Sequence, residues 1–183
     1  MNAPAPKISP PDEVAPGEHA DDLLRSFGPG SFAVMRARAE ELLAANINPR
    51  TGLATDYLNH FNEAIMLLEM IPDMPDCAED FLGWRPLTYS EHFRAANFKA
   101  RELAISAYEA ADPVIRGEFD SITCTMTSIL TAVGDAMRQV QQDKSRALLA
   151  EQATGWVKPL VTLAGGIING SGHEADVDKI MTA

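Results

Sequence analysis

Apolar side chains recur at alternating steps of four and three residues between residues 112 and 140. This average spacing of 3.5 residues keeps them on one side of an α-helix, facing a partner helix or the interior of a bundle. Asp112 and Pro113 open the stretch, and they are typical of a helix start: a carboxylate is a favoured N-cap, and proline fits the first turn. The pattern therefore predicts a long packed helix. Its apolar seam is Ile115, Phe119, Ile122, Met126, Ile129, Val133, Ala136 and Val140.

The rest of the chain also shows helical spacing, with no run that alternates apolar and polar residues as a strand does. We expect an all-α fold, an antiparallel bundle of four to five core helices. Its main feature would be a long helical hairpin over about residues 88–152, in which a helix from Thr88 or Ser90 to Ala110 packs against the seam helix. Gly155 would end that second arm. Other helices are predicted over about residues 31–45, 55–70, 77–82 and 156–168, with short terminal helices outside the bundle.

Composition divides the chain into three parts. Residues 1–17 contain five prolines and few large apolar groups, so this segment is predicted to be a disordered tail. Residues 18–168 are long enough for a single helical-bundle domain with its own core. Residues 169–183 are predicted to be a linker followed by a short amphipathic helix.

Net charge and cysteine content restrict the class of partner and the compartment. The formal charge of −11 would repel a nucleic-acid backbone or an anionic membrane surface, so neither is expected as a partner. The two cysteines, Cys77 and Cys124, are too few and too far apart for a disulfide scaffold, and both are predicted to be buried small apolar side chains. With no apolar signal segment at the start, the sequence favours a cytoplasmic protein.

A carboxylate and histidine metal site is one functional hypothesis. Asp56, His60 and Glu63 are spaced at four and three residues on one predicted helix, and His92 follows on another. Metal-binding bundles use carboxylate and imidazole groups that project inward from facing helices. His60 lies at the border of the apolar stripe, where a hydrogen-bonded histidine without a metal is the alternative.

Phosphoryl transfer is a second hypothesis, and it depends on His92. A phosphotransfer histidine is exposed on a bundle helix, with small residues one turn later and a basic side chain nearby. Ala96 and Lys99 provide these features here, and the stretch resembles a histidine phosphotransfer domain, although that family has glycine one turn after its histidine. The resemblance implies that His92 would carry the phosphoryl group.

Asp135 and Gln139 suggest a related activity. They lie four residues apart on the polar side of the seam helix, where an amide can position a water molecule and an acid can orient a partner's lysine. The pair resembles the acid and amide pair of chemotaxis response-regulator phosphatases, which are long helical hairpins with a regulator-binding peptide at one end. Residues 20–28 and, more loosely, 175–181 resemble such a peptide.

The sequence contains no nucleophile elbow, phosphate loop or calcium loop, and no cofactor is expected. The function that it favours is protein–protein interaction without catalysis, as a small adaptor or regulator. The partner would bind the amphipathic segments Asp21–Phe27 and Glu174–Met181, which lie outside the predicted bundle. The apolar seam leaves a second possibility open, association between copies of the chain.

Overall fold

The fold is all-α, as the sequence predicts. The computed structural model describes residues 29–171, and no strand occurs within that range. None of the helices described is both long enough and apolar enough to cross a membrane. The helices are α1 (Pro29–Ala44), α2 (Leu58–Met70, preceded by a 3-10 turn at Thr55–Tyr57), α3 (Cys77–Gly83), α4 (Tyr89–Ala95), α5 (Arg101–Glu109), α6 (Pro113–Gln139) and α7 (Asp143–Ile168).

The chain divides into two compact units, Met1–Arg38 and Ala39–Ala183. In the first unit, the described residues all belong to α1. All the elements and sites below lie in the second unit. The predicted tail of residues 1–17 and the predicted binding segments Asp21–Phe27 and Glu174–Met181 lie outside the described residues, so those expectations stay predictions.

The long helical hairpin is present, but it consists of α6 and α7, residues 113–168, and not of residues 88–152. The seam helix ends at Gln139, and the extended backbone of Val140 and Gln142 turns the chain back. Arg146 Nε donates a hydrogen bond to the carbonyl oxygen of Val140, at 3.1 Å, and so satisfies a group that the end of the helix leaves unpaired. The turn allows α7 to bury the small residues Ala150 and Ala153, which a straight continuation would expose.

The predicted single helix from Thr88 to Ala110 is wrong, because α4 and α5 are separate. Thr88 does start α4, through a capping box in which the side chains of Thr88 and Glu91 each accept a hydrogen bond from the other residue's backbone N–H. Ala96 is extended and ends the helix. Phe93 and Phe98, five residues apart, would point about 140° away from each other on one continuous helix. The break lets their rings pack at 5.1 Å between centroids.

The predicted apolar seam matches the buried residues of α6 at every second position. Phe119, Met126 and Val133 are buried, but the residues buried between them lie one position later than predicted, at Thr123, Leu130 and Met137. The residues predicted there are half-buried. They are Ile115, Ile122, Ile129 and Ala136.

α7 runs through Gly155, where the sequence predicts a helix end, and it also contains Pro159. Both are exposed, so the cost of the missing proline N–H and of the flexible glycine falls on the solvent side. The opposite side buries Val157, Ala164 and Ile168, and this burial offsets that cost. A hydrogen bond of 2.8 Å from Thr51 Oγ1 to the Ile168 carbonyl secures the end of the helix.

Gly52 is required by the loop that carries Thr51. Its φ is +71°, a left-handed conformation, and a Cβ atom there would lie 2.6 Å from the carbonyl oxygen of Ala107. Only glycine lets this loop approach α5 so closely. The core of the described residues contains ten large and fully buried side chains. They are Phe61, Phe93, Phe119, Ile47, Leu53, Leu68, Ile71, Met126, Leu130 and Met137.

Candidate functional site

His60 lies inside the protein, an orientation that the sequence left open. Its residue is 7% exposed, and its Nε2 accepts a hydrogen bond from the backbone N–H of Leu87, at 3.1 Å. The indole ring of Trp84 stacks on it at 4.7 Å, and Trp84 Nε1 donates to the His60 carbonyl oxygen at 3.1 Å. Burial, with a smaller contribution from His92, lowers the pKa of His60 to about 4. His60 is therefore neutral at pH 7 and holds the segment from Trp84 to Leu87 against α2.

His92 pairs with an acid across two elements. Its Nε2 lies 3.4 Å from Oδ2 of Asp56, and only 13% of the His92 side chain is exposed. The rings of Tyr57 and His60 lie 5.5 Å and 6.0 Å from its ring centroid. The ring nitrogen that a phosphoryl donor would have to reach is thus occupied by a carboxylate, whereas the phosphotransfer hypothesis expects an exposed histidine.

The structure does not assemble the three metal-ligand candidates around one point. Among residues 29–171, no group of three or more His, Cys, Asp and Glu side chains is placed to hold a metal ion. Asp56 is directed to His92 and to the amide of Asn59, His60 Nε2 faces a backbone N–H, and Glu63 is exposed.

Asp135 and Gln139 are exposed, as the sequence predicts. Asp135 Oδ1 accepts a hydrogen bond of 2.9 Å from Arg138, whose other terminal nitrogen donates to the Leu82 carbonyl oxygen at 3.1 Å. The acid is therefore one end of a link between α6 and the end of α3. A role of this pair in dephosphorylating a response regulator stays a prediction.

The sequence did not reveal a cleft in which the protein's tyrosines meet. All three tyrosines, Tyr57, Tyr89 and Tyr108, line a cavity of about 470 Å³ between α4, α5 and α6. Tyr57 hydroxyl donates to the Leu87 carbonyl oxygen at 2.8 Å, and Tyr89 hydroxyl accepts from the Ala54 N–H at 2.9 Å. The tyrosines are far apart in the sequence, so no motif announces the cleft. The remaining lining residues are Pro86, Leu87, Thr88, Glu91, Asp120, Thr123, Cys124 and Thr127.

The cleft is acidic. It contains the carboxylates of Glu91 and Asp120 and no lysine or arginine. Tyr108 hydroxyl donates to both oxygens of Asp120, at 2.8 and 3.0 Å, and burial and this carboxylate raise the pKa of Tyr108 to about 12. Burial raises the pKa of Tyr57 and Tyr89 above the ordinary range as well. All three hydroxyls therefore stay protonated at neutral pH, and the cleft has no anionic phenolate.

The prediction that both cysteines are buried is wrong for Cys124, which is exposed and lines this cleft. Cys77 is buried as predicted. Cys124 lies on the outer side of α6, beyond the buried Thr123. Its thiol is therefore accessible to reagents from the solvent.

A second feature that the sequence did not reveal is an uncovered apolar stripe on α7. Leu148, Trp156 and Leu163 are 56%, 57% and 51% exposed, and their spacing of eight and seven residues places them on one face. Gln152 and Pro159 occupy the intervening turns, so the stripe contains no charge.

At its Leu163 end, this stripe meets the surface of α6. Leu163 and Ile167 of α7 border a shallow cavity of about 480 Å³, together with Gly117, Glu118, Ser121 and Ile122 of α6. One turn further along α6, Thr125 donates its hydroxyl hydrogen to the Ser121 carbonyl oxygen at 2.8 Å, so its polar group is already satisfied. We call this surface the hairpin face. It comprises Ser121, Ile122 and Thr125 of α6 and Leu148, Gln152, Trp156, Pro159 and Leu163 of α7.

No protein-family model, curated protein or solved structure matched the chain. The cleft and the hairpin face are therefore the features from which a function can be inferred.

Proposed function

We propose that this protein acts by binding another protein, and that the hairpin face receives an amphipathic helix of that partner. The observation that carries the proposal is the exposure of Trp156 between Leu148 and Leu163. Exposed tryptophan is uncommon on surfaces that face only water and is enriched at the centres of protein interfaces.

The shape of the face fits a helix. Two antiparallel helices border it, and residues 148–163 span about 22 Å, or four turns of an approaching helix. Small residues lie along both edges, including Gly117 and Ser121 on α6 and Gly155 on α7, and they leave room for side chains of the partner. Binding of an apolar helical face in such a groove is a common recognition mode.

Charge favours a basic partner over a second copy of this chain. The protein has a net charge of −11, and Glu118 lies beside the apolar surface. Two copies would repel each other, whereas a helix with an apolar face and basic flanks would be attracted. Self-association through this face is the competing outcome.

The proposal is tested with a photoreactive amino acid at position 156 of the full-length protein. We expect a crosslink to one partner protein. The crosslinked segment should have apolar residues at helical spacing and lysines or arginines on either side. A synthetic peptide of that segment should then bind the wild type at least about tenfold more tightly than the double variant Trp156→Ser, Leu163→Ser.

The matched control is Met66→Ser, which changes another half-exposed apolar residue, on α2, a helix that contributes no residue to the hairpin face. It should leave peptide binding unchanged. Both variants should unfold within a few °C of the wild type, since the altered side chains are already more than half exposed. A crosslink to a second copy, or equal binding of the peptide to the double variant, would contradict the proposal.

A further inference from the structure

The cleft between α4, α5 and α6 is separate from the hairpin face, and its chemistry points to a different ligand. We propose that it binds a small organic cation, an alkylguanidinium or alkylammonium, with Asp120 as the counter-ion and the tyrosine rings as the walls.

The size and the lining residues of the cleft suit a small molecule. A volume of about 470 Å³ lies within the range of small-ligand sites, which are lined mainly by apolar and aromatic groups with a few polar ones. Tyr89 and Tyr108 stack at 4.4 Å with an angle of 14° between their planes, and Tyr57 lies 5.2 Å from Tyr89. Tyr57 and Tyr89 are each only 3% exposed, so the three rings form an aromatic wall that is held in place by its packing.

The two carboxylates keep free capacity to accept hydrogen bonds. The hydrogen bonds of the Asp120 carboxylate with the rest of the described chain come from the single hydroxyl of Tyr108, whereas an ionised carboxylate can accept about four. Glu91 uses Oε2 for both of its hydrogen bonds from Thr88. Neither acid has an ion-pair partner among residues 29–171. A half-buried acid without a cation is the counter-charge that a cationic ligand would complete.

Arg116 lies beside the tyrosine stack without lining the cleft. Its guanidinium carbon is 5.8 Å from the centroid of the Tyr108 ring. Its Nη1 donates a hydrogen bond to the Glu109 carbonyl oxygen at 2.9 Å, and among the described residues it forms no ion pair with Asp120. The charge of Asp120 in the cleft is therefore left for an external cation.

Cys124 allows a direct test on the intact protein, because its exposed thiol lines the cleft while the other thiol, Cys77, is buried. The probes are 2-(trimethylammonium)ethyl methanethiosulfonate, which is cationic, and 2-sulfonatoethyl methanethiosulfonate, which is anionic. The measured quantity is the ratio of their second-order rate constants. The reference for the net charge of the molecule is Ser128→Cys in a Cys124→Ser background, an exposed position of α6 that lines neither the cleft nor the hairpin face.

The ratio at Cys124 should exceed the ratio at the reference thiol by about tenfold, because the acid concentrates cations in the cleft. Asp120→Asn should bring the ratio down to the reference, and Asp73→Asn, which removes an exposed acid in the turn after α2, should not. Tyr108→Phe keeps the ring and frees Asp120 from its hydrogen bond, so the high ratio should persist.

n-Propylguanidinium and n-butylammonium should slow the modification of Cys124 in a saturable way, and n-butanol should not. The reference thiol should be unaffected by all three. This protection experiment uses the wild type, so it decides the question even where Asp120→Asn does not fold. Equal ratios at the two thiols, or no protection by either cation at about 10 mM, would overturn the proposal. Both results are independent of the hairpin face.

Discussion

His60 is a histidine whose interactions all favour the neutral form. Its Nε2 accepts a backbone N–H, its ring lies against Trp84, and burial lowers its pKa to about 4. Protonation would remove the acceptor and place a charge in a largely apolar environment. The residue that looked like a metal ligand in the sequence is therefore explained by its structural role.

This environment predicts how stability depends on pH. Above about pH 7, His60 is neutral in both the folded and the unfolded chain and makes no contribution to the pH dependence. Below its unfolded pKa of about 6.5, the unfolded chain takes up a proton that the folded chain does not, so stability falls until the pH reaches about 4. At pH 5 the loss should be on the order of 2 kcal/mol.

Urea unfolding at pH 7.5 and pH 5.0 measures this loss. His60→Gln cannot be protonated, so its free energy of unfolding should fall less than that of the wild type, by about the amount that His60 contributes. Other groups titrate in the same interval, so the difference between the two proteins is the quantity to compare. Parallel losses in wild type and His60→Gln would show that His60 is not buried as neutral imidazole.

At the scale of single elements, local chemistry determines helix starts more clearly than helix ends. Asp112 accepts hydrogen bonds from the N–H groups of Val114 and Ile115, at 2.8 and 3.3 Å, and so caps the longest helix of the bundle. The ends of α4 and α6 are determined by packing. α4 ends where the rings of Phe93 and Phe98 pack together, and α6 ends where the chain turns back into α7.

Loss of the α6 cap should therefore weaken the whole protein measurably. Asp112→Ala leaves two N–H groups without their acceptor, and the free energy of unfolding should fall by about 1 kcal/mol. Asp112→Asn keeps a side-chain oxygen at the cap and should lose only a few tenths of that amount. Urea unfolding at pH 7.5 compares the two. Equal losses for both variants would mean that the side-chain cap does not contribute.

At the scale of the whole molecule, charge opposes folding while a few ion pairs support it. The formal charge is −11, and the described ion pairs are mostly at the surface, including Arg146 with Glu79 at 3.1 Å and Lys158 with Glu69. Surface pairs contribute little individually, whereas repulsion among the excess acids acts throughout the molecule.

Because this repulsion outweighs the surface ion pairs, we expect moderate salt to stabilise the protein. Raising NaCl from about 20 mM to 200 mM shortens the screening length to below about 10 Å and weakens the repulsion, so Tm should rise by a few °C. Scanning calorimetry in NaCl and in KCl should show the same rise, because general screening does not depend on the cation. A fall in Tm with salt would indicate that the ion pairs outweigh the repulsion.

The all-α class, a long hairpin and the start of its first arm at Asp112 could be predicted from the sequence, because helical period and capping are local properties of the chain. Half of the seam could be predicted as core for the same reason. The other half could not, since the side of α6 that becomes buried depends on the helices that pack against it, and the spacing along α6 does not specify them.

The candidate sites were decided by tertiary structure alone. Tyr57, Tyr89 and Tyr108 come together only because three helices converge, and no spacing along the chain relates them. Trp156 has the apolar character of a core residue, yet α7 packs through its small residues Ala150, Ala153 and Ala164 and leaves the indole outside. Local sequence determined which segments are helices. The packing of those helices against one another determined which side chains remain exposed for binding.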